Sequence, residues 1–149
     1  MPQLSRRLMR FLVLFCLMPA SVAAEPRVAE ISVGAVALAV ELAYDESSRQ
    51  LGLMHREFLP ADRGMLFIFP LERRHCMWMR NTWIPLSVAF VSSSGRVLNI
   101  ADMTPLSDAT HCAAAPARYA LEVNQGWFDG HGIAPGQLIE GLESLPVAR

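Results

Sequence analysis

The chain contains no lysine. Its 13 cationic side chains are all arginine, scattered rather than clustered, and the net charge is −1. A nucleic-acid surface needs a concentrated positive face, so this composition argues against DNA or RNA as a partner. Long apolar runs are also missing. The apolar stretch Phe11 to Met18 is about half of the ~20 residues a membrane-spanning helix needs, so no stable membrane anchor is expected. There is no internal repeat, no low-complexity tract and no linker long enough to divide the chain. Catalytic signatures are absent too. Ser92-Ser93-Ser94-Gly95 is not the G-x-S-x-G turn that exposes a nucleophile. No second carboxylate can be matched to Glu122 as glycoside chemistry would require. The sequence therefore favours a non-enzymatic role, with no cofactor implied.

What is present begins with a leader. Arg6, Arg7 and Arg10 form a basic segment before the apolar stretch, and Val22-Ala23-Ala24 supplies the small residues that signal peptidase prefers. Residues 1–24 are therefore expected to be a cleaved signal peptide, with Glu25 as the new terminus. The destination is periplasmic or secreted. Ser5-Arg6-Arg7 suits a twin-arginine signal, but Met9 and Arg10 fit its continuation poorly. Cys16 follows bulky Phe15 inside the apolar stretch, which speaks against lipid modification. The leader carries three Arg and no acid, so a chain cut after Ala24 has net charge −4 in place of −1. Residues 25–149 make one ordinary domain, long enough to bury a core without a metal.

Strand patterns dominate that domain. After a loose arm at residues 25–29, Ile31 to Val33 and Val36 to Leu42 flank Gly34-Ala35 and suit a hairpin. Asp45 to Met54 reads as the one clear helix, with Asp45 as N-cap and Leu51 and Met54 on one face. Gly52 in that stretch costs roughly 1 kcal/mol relative to Ala, which suggests close packing against a neighbouring strand. Met65 to Phe69, Cys76 to Arg80, Leu86 to Val91, Val97 to Ala101 and Tyr119 to Val123 read as strands. The turn chemistry of Ser92 to Gly95 makes a second hairpin. Asn124 to Gly130 reads as a turn with a short helical segment, Gly136 to Ile139 as a closing strand, and the tail after Glu143 as frayed. Many short strands separated by frequent turns favour a mainly β sandwich or barrel.

Three motifs stand out: G-L-M-H-R at Gly52 to Arg56, R-G-M-L-F-I-F-P at Arg63 to Pro70, and H-C-M-W-M-R-N-T-W-I-P-L at His75 to Leu86. In these the chain resembles the domain of unknown function 192 family, over most of its length after residue 28. The resemblance implies a compact, jelly-roll-like β-domain with one short helix. Relatives often carry Asp where this chain has Ser87, which removes a carboxylate that could have served as a family acid or base. Glu122 matches a family Leu-Glu position. Strand alternation sets it opposite its apolar neighbours, pointing to solvent exposure or an Arg partner.

Cys76 and Cys112 are the cysteines left after cleavage. In an oxidising compartment an even pair is most simply a disulfide. Closing a loop of this length stabilises by roughly 4 kcal/mol on the chain-entropy argument. A rival reading takes His75, Cys76, His111 and Cys112, with Met77 and Met79 nearby, as soft ligands for Cu(I) in a periplasmic copper or redox protein. Period-two alternation places Met77 and Met79 on one face, which is more often core. It places Trp78, Arg80 and Thr82 on the other. Trp78 beside Arg80, Asn81 and Thr82 is the pattern of a saccharide or small-ligand site, a flat ring for the pyranose and polar groups for its hydroxyls. The plainer reading of Asn81-Thr82 is a local turn. The leading expectation is an exported small-ligand or carbohydrate-binding module. Copper or redox handling comes second and an unrecognised hydrolase third.

Overall fold

The computed structural model of the chain describes residues 26–149. The expected leader, residues 1–24, and the expected new terminus at Glu25 lie outside the described residues. In chain order the strands are β1 (Val28–Val33), β2 (Val36–Ala43), β3 (Arg63–Arg73), β4 (Cys76–Met77), β5 (Leu86–Val91), β6 (Val97–Met103), β7 (His111–Cys112), β8 (Ala117–Asn124) and β9 (Ile139–Glu140). Two short helices, α1 (Glu46–Leu51) and α2 (Trp127–Gly130), and a 3-10 turn at Leu142–Ser144 complete the chain. Among the described residues no helix is long and apolar enough to cross a membrane.

Seven strands form one sheet in the order β6-β5-β8-β3-β2-β1-β9, and β4 pairs with β7 in a separate ribbon. The expected hairpins are both present, β1–β2 turning at Gly34-Ala35 and β5–β6 turning at Ser92 to Gly95. The sheet is mainly antiparallel. Its one parallel pair, β2 with β3, needs a crossover, which α1 and the loop after it supply. The sheet curls into a half-barrel. At one end a strip joins its two far edges: Ser32 pairs with Glu140, while Arg96 bridges to Leu138. The architecture is thus mainly β, as the strand pattern predicts.

Local chemistry explains the main punctuation. Asp45 caps α1, its carboxylate accepting the Ser48 N–H at 2.8 Å while the Ser48 hydroxyl accepts the Asp45 N–H at 3.2 Å, a reciprocal capping box. The helix stops at Gly52, whose backbone (φ 49, ψ −135) strains any side chain. A Cβ there would stand 3.2 Å from the Phe67 ring. The close strand contact expected of Gly52 is therefore with β3. The early stop also changes the phase of the residues after it. Leu51 is exposed and Leu53 is buried, so the expected pair of Leu51 and Met54 is not the core face.

The two chain ends are better held than expected. β1 begins at Val28, and the Arg27 carbonyl accepts the Leu42 N–H at 2.8 Å. The tail is pinned rather than frayed. The Arg149 N–H donates to the Tyr44 carbonyl at 2.7 Å, and Arg49 donates to the Arg149 carbonyl at 2.8 Å.

Both faces of the sheet are covered, which gives two apolar layers. The inner layer lies within the curl and gathers Val33, Leu38, Leu66, Leu121 and Phe128. The outer layer gathers Leu53, Met65, Phe67, Met79, Val88 and Phe90. Its cover is three irregular segments, residues 52–62, 78–85 and 104–116, and this cover holds the candidate site.

Candidate functional site

The three covering segments are tied to one another by backbone bonds. The His55 N–H donates to the Asn81 carbonyl at 2.9 Å, Met79 N–H to Ser107 at 3.1 Å, and Leu106 N–H to Thr82 at 3.1 Å. The Cys76–Cys112 disulfide joins them at the β4–β7 ribbon. In that antiparallel register His111 lies opposite Met77, and the His75 carbonyl accepts the Ala113 N–H. The two histidines therefore sit at opposite ends of the ribbon. His75 is buried, stacked on Phe69 at 3.7 Å, with Nε2 2.8 Å from the Leu71 carbonyl. Burial holds its imidazolium form below the usual histidine range, chiefly by desolvation. With both sulfurs bonded to each other and His75 committed to Leu71, the geometry does not gather His75, Cys76, His111 and Cys112 into a copper set. Among the described residues no group of three or more His, Cys, Asp or Glu side chains is placed to hold a metal.

The segment after β4 departs from the expected strand. Only Cys76–Met77 is extended, and the chain then turns through Arg80 and Asn81, the latter at φ 55. Asn tolerates this left-handed conformation better than most residues. The turn breaks the period-two alternation, and Thr82 leaves the face that carries Trp78 and Arg80. It is 5% exposed, its hydroxyl donating to the Arg80 carbonyl at 3.3 Å. Trp78 is 44% exposed. The Arg80 guanidinium lies 4.1 Å from the centre of the indole ring and also pairs with Asp108 at 2.8 Å, a cation–π contact that fixes the ring. Asn81 is exposed. Of the four residues singled out from the sequence, Trp78 and Arg80 stay together in the open, Asn81 makes the turn, and Thr82 goes inward.

Trp78 forms part of the wall of a groove of about 840 Å³ that also involves Arg49, Phe67, Phe69, Arg73 and Met77. The groove shares Arg49, Gln50, Phe67, Met77 and Trp78 with a much smaller recess of about 30 Å³. Thr82 and Glu122 line that recess. Glu122 stands on β8 with Met65 of β3 and Val88 of β5 as its cross-strand neighbours. It is 4% exposed. Among the described residues the ion pairs are Arg56–Glu41 and Arg80–Asp108, so the expectation of solvent or an Arg partner for Glu122 is overturned. Desolvation alone pushes its carboxyl up to about 8. Glu122 was the residue the sequence hid. Alternation correctly set it opposite Leu121 and Val123, but that second face is covered as well.

Ser87 occupies a different place. It is buried on the inner side of β5, donating to Asp102 at 2.5 Å and accepting the Gly126 N–H at 3.0 Å. The hollow of about 350 Å³ beside it is lined by the carboxylates of Asp102 and Asp129, with no imidazole. His131 caps α2, its Nδ1 2.7 Å from the Trp127 carbonyl.

Known proteins share this architecture. The family model DUF192, described as an uncharacterized ACR, matches residues 29–141. Among similar solved structures is a protein of Sinorhizobium meliloti named as a proposed transcription regulator. It is 34% identical with a TM-score of 0.75, over 79% of this chain and 96% of that one. A second, of unknown function from Novosphingobium aromaticivorans, is 34% identical with a TM-score of 0.74, over 79% of this chain and 94% of that one. No curated protein matches the chain.

Proposed function

Since the chain belongs to the DUF192 family, described only as uncharacterized, we propose from the groove itself that it is an exported small-ligand-binding module, with saccharides as the first class to test. The observation that carries this reading is Trp78, a half-exposed ring fixed by Arg80 on the wall of a groove of about 840 Å³. A flat, pre-positioned aromatic beside a few polar groups is how shallow sites hold a pyranose ring. Arg73 supplies donors along the same groove. The regulator role named for the Sinorhizobium protein fits this chain poorly, because the chain has no Lys and a net charge of −1. Export is supported by the leader pattern and by a disulfide that an oxidising compartment would preserve.

A thermal-shift screen of the mature protein against saccharides and metal ions tests the reading. A ligand present at about 100 times its Kd adds roughly 2.7 kcal/mol, easily resolved in one domain. Any saccharide that stabilises the wild type should lose its effect on Trp78→Ala while the unliganded stability hardly changes. If the variant responds as the wild type does, the groove is not the site. Mass spectrometry of the periplasmic fraction should find a chain starting near Glu25. Recovery only from the cytoplasm with Met1 or Pro2 intact would end the export reading.

A further inference from the structure

Resting on that reading of the groove, and naming a group its ligand carries, we propose that the recess beside Trp78 is a site for a primary ammonium group, held between the Glu122 carboxylate and the indole ring. The recess contains an acid without a counter-charge. On either side of Glu122 the sheet offers Met65 and Val88, both apolar. The charged groups on the surrounding elements are engaged elsewhere. Arg49 of α1 lines the recess, but its guanidinium donates to the carbonyl oxygens of Ile68 at 3.1 Å and Arg149 at 2.8 Å. Arg56 makes two bonds to Glu41, which lies beyond Met65 in the same cross-strand row. Arg80 is paired with Asp108, and the His55 ring lies against Trp83 at 6.1 Å.

Size and lining select the ligand group. A volume of about 30 Å³ admits something no larger than a water molecule or an ammonium head. Leu53, Met54, Phe67 and Met77 supply the apolar part of the wall, the Gln50 amide N–H donates to Glu46, and the Thr82 hydroxyl is spent on Arg80. A polyol would leave several hydroxyls unpaired there. A small cation needs only an opposite charge and the face of an aromatic ring, and Trp78 already carries one cation over its ring. Because burial raises the Glu122 carboxyl to about 8, the empty recess is a neutral acid at pH 7. An entering ammonium displaces that proton to solvent, so the net charge of the recess is the same before and after binding.

Isothermal titration calorimetry with n-butylammonium chloride, and n-butanol as its neutral counterpart, tests the exchange. Wild type and Glu122→Gln are compared from pH 6 to pH 9, in buffers of different ionisation enthalpy. In the wild type, butylammonium should bind at least about tenfold tighter than butanol and release close to one proton at pH 7. Its affinity should rise about tenfold from pH 6 to pH 7 and level off above pH 8, as the ionised fraction of Glu122 saturates. Glu122→Gln should lose the proton release and most of the affinity, while its unfolding midpoint at pH 7 equals or exceeds that of the wild type, showing that it is folded. Equal binding of butanol and butylammonium, binding without proton release, or no butylammonium binding would overturn the proposal. A saccharide that stabilises the wild type where butylammonium fails would leave the groove reading intact and remove this one. Butylammonium binding without any saccharide response would do the reverse.

Discussion

The two apolar layers of this domain bury similar side chains but treat polar groups differently. In the inner layer the buried polar residue, Ser87, is bonded both to Asp102 and to the Gly126 N–H. On the outer side Thr82 and His75 are bonded to backbone carbonyls, but Glu122 is buried with nothing to offset its desolvation. The inner layer is closed by regular structure, the curl of the sheet and α2. The outer layer is closed by irregular segments held by a disulfide and a few backbone bonds. An uncompensated buried carboxyl persists only where surrounding structure tolerates its cost, and such groups concentrate at functional sites. On the reading proposed above, the contrast divides stability and binding between the two layers.

The largest test separates the cover from the core. Reducing Cys76–Cys112, which closes a separation of 36 residues, should cost roughly 4 kcal/mol in chemical denaturation on the chain-entropy argument. Hydrogen exchange should rise first in residues 76–85 and 104–116. Uniform loss of protection across β1 to β3 would erase the distinction between the layers. Next, Leu121→Ala cuts a fully buried inner side chain and should cost about 3 kcal/mol. A purely inner-layer role predicts that the surviving folded fraction binds ligand with unchanged affinity.

The third test uses pH. The folded carboxyl of Glu122 titrates near 8, well above a carboxylate in the unfolded chain, so the folded state holds the proton longer. Its contribution to stability is complete below about pH 4.5 and is lost as pH rises towards about 8, at up to about 1.4 kcal/mol per unit. Glu122→Gln should flatten that slope in urea denaturation measured from pH 5 to pH 8. An unchanged slope would mean the carboxyl is solvated after all. The smallest effect belongs to Trp78→Ala, expected within about 1 kcal/mol of wild type because half the ring already faces water. A loss of several kcal/mol would make Trp78 part of the outer core.

How far the sequence foretold this depends on how local the determinant is. The Asp45 cap, the close packing at Gly52 and both hairpins were legible because each rests on a few adjacent residues and one backbone rule. The helix stop at Gly52, which needs a positive φ, was missed. At Asn81-Thr82 the plainer reading, a local turn, is the one the structure has. The strand reading that set Thr82 beside Trp78 fails because a single positive-φ residue, Asn81, resets the alternation. Glu122 was misread for a different reason. Alternation reports which face a residue points to, but not whether a distant loop covers that face. The loops that cover it, bearing Leu53 and Trp78, come from far earlier in the chain.

The strip from Gly136 to Glu140 has a consequence for how copies of this chain meet. It holds one end of β1 through Ser32 and Val33 and one end of β6 through Arg96 and Val97. Its seat depends on Gly95, whose carbonyl accepts the Ile139 N–H and where a Cβ would stand 2.7 Å from the Ile139 carbonyl oxygen. A side chain at Gly95 would lift the strip and leave two unpaired strand edges facing solvent, a template for edge-to-edge association. The visible defect of such a variant would be turbidity on concentration, with the groove itself untouched.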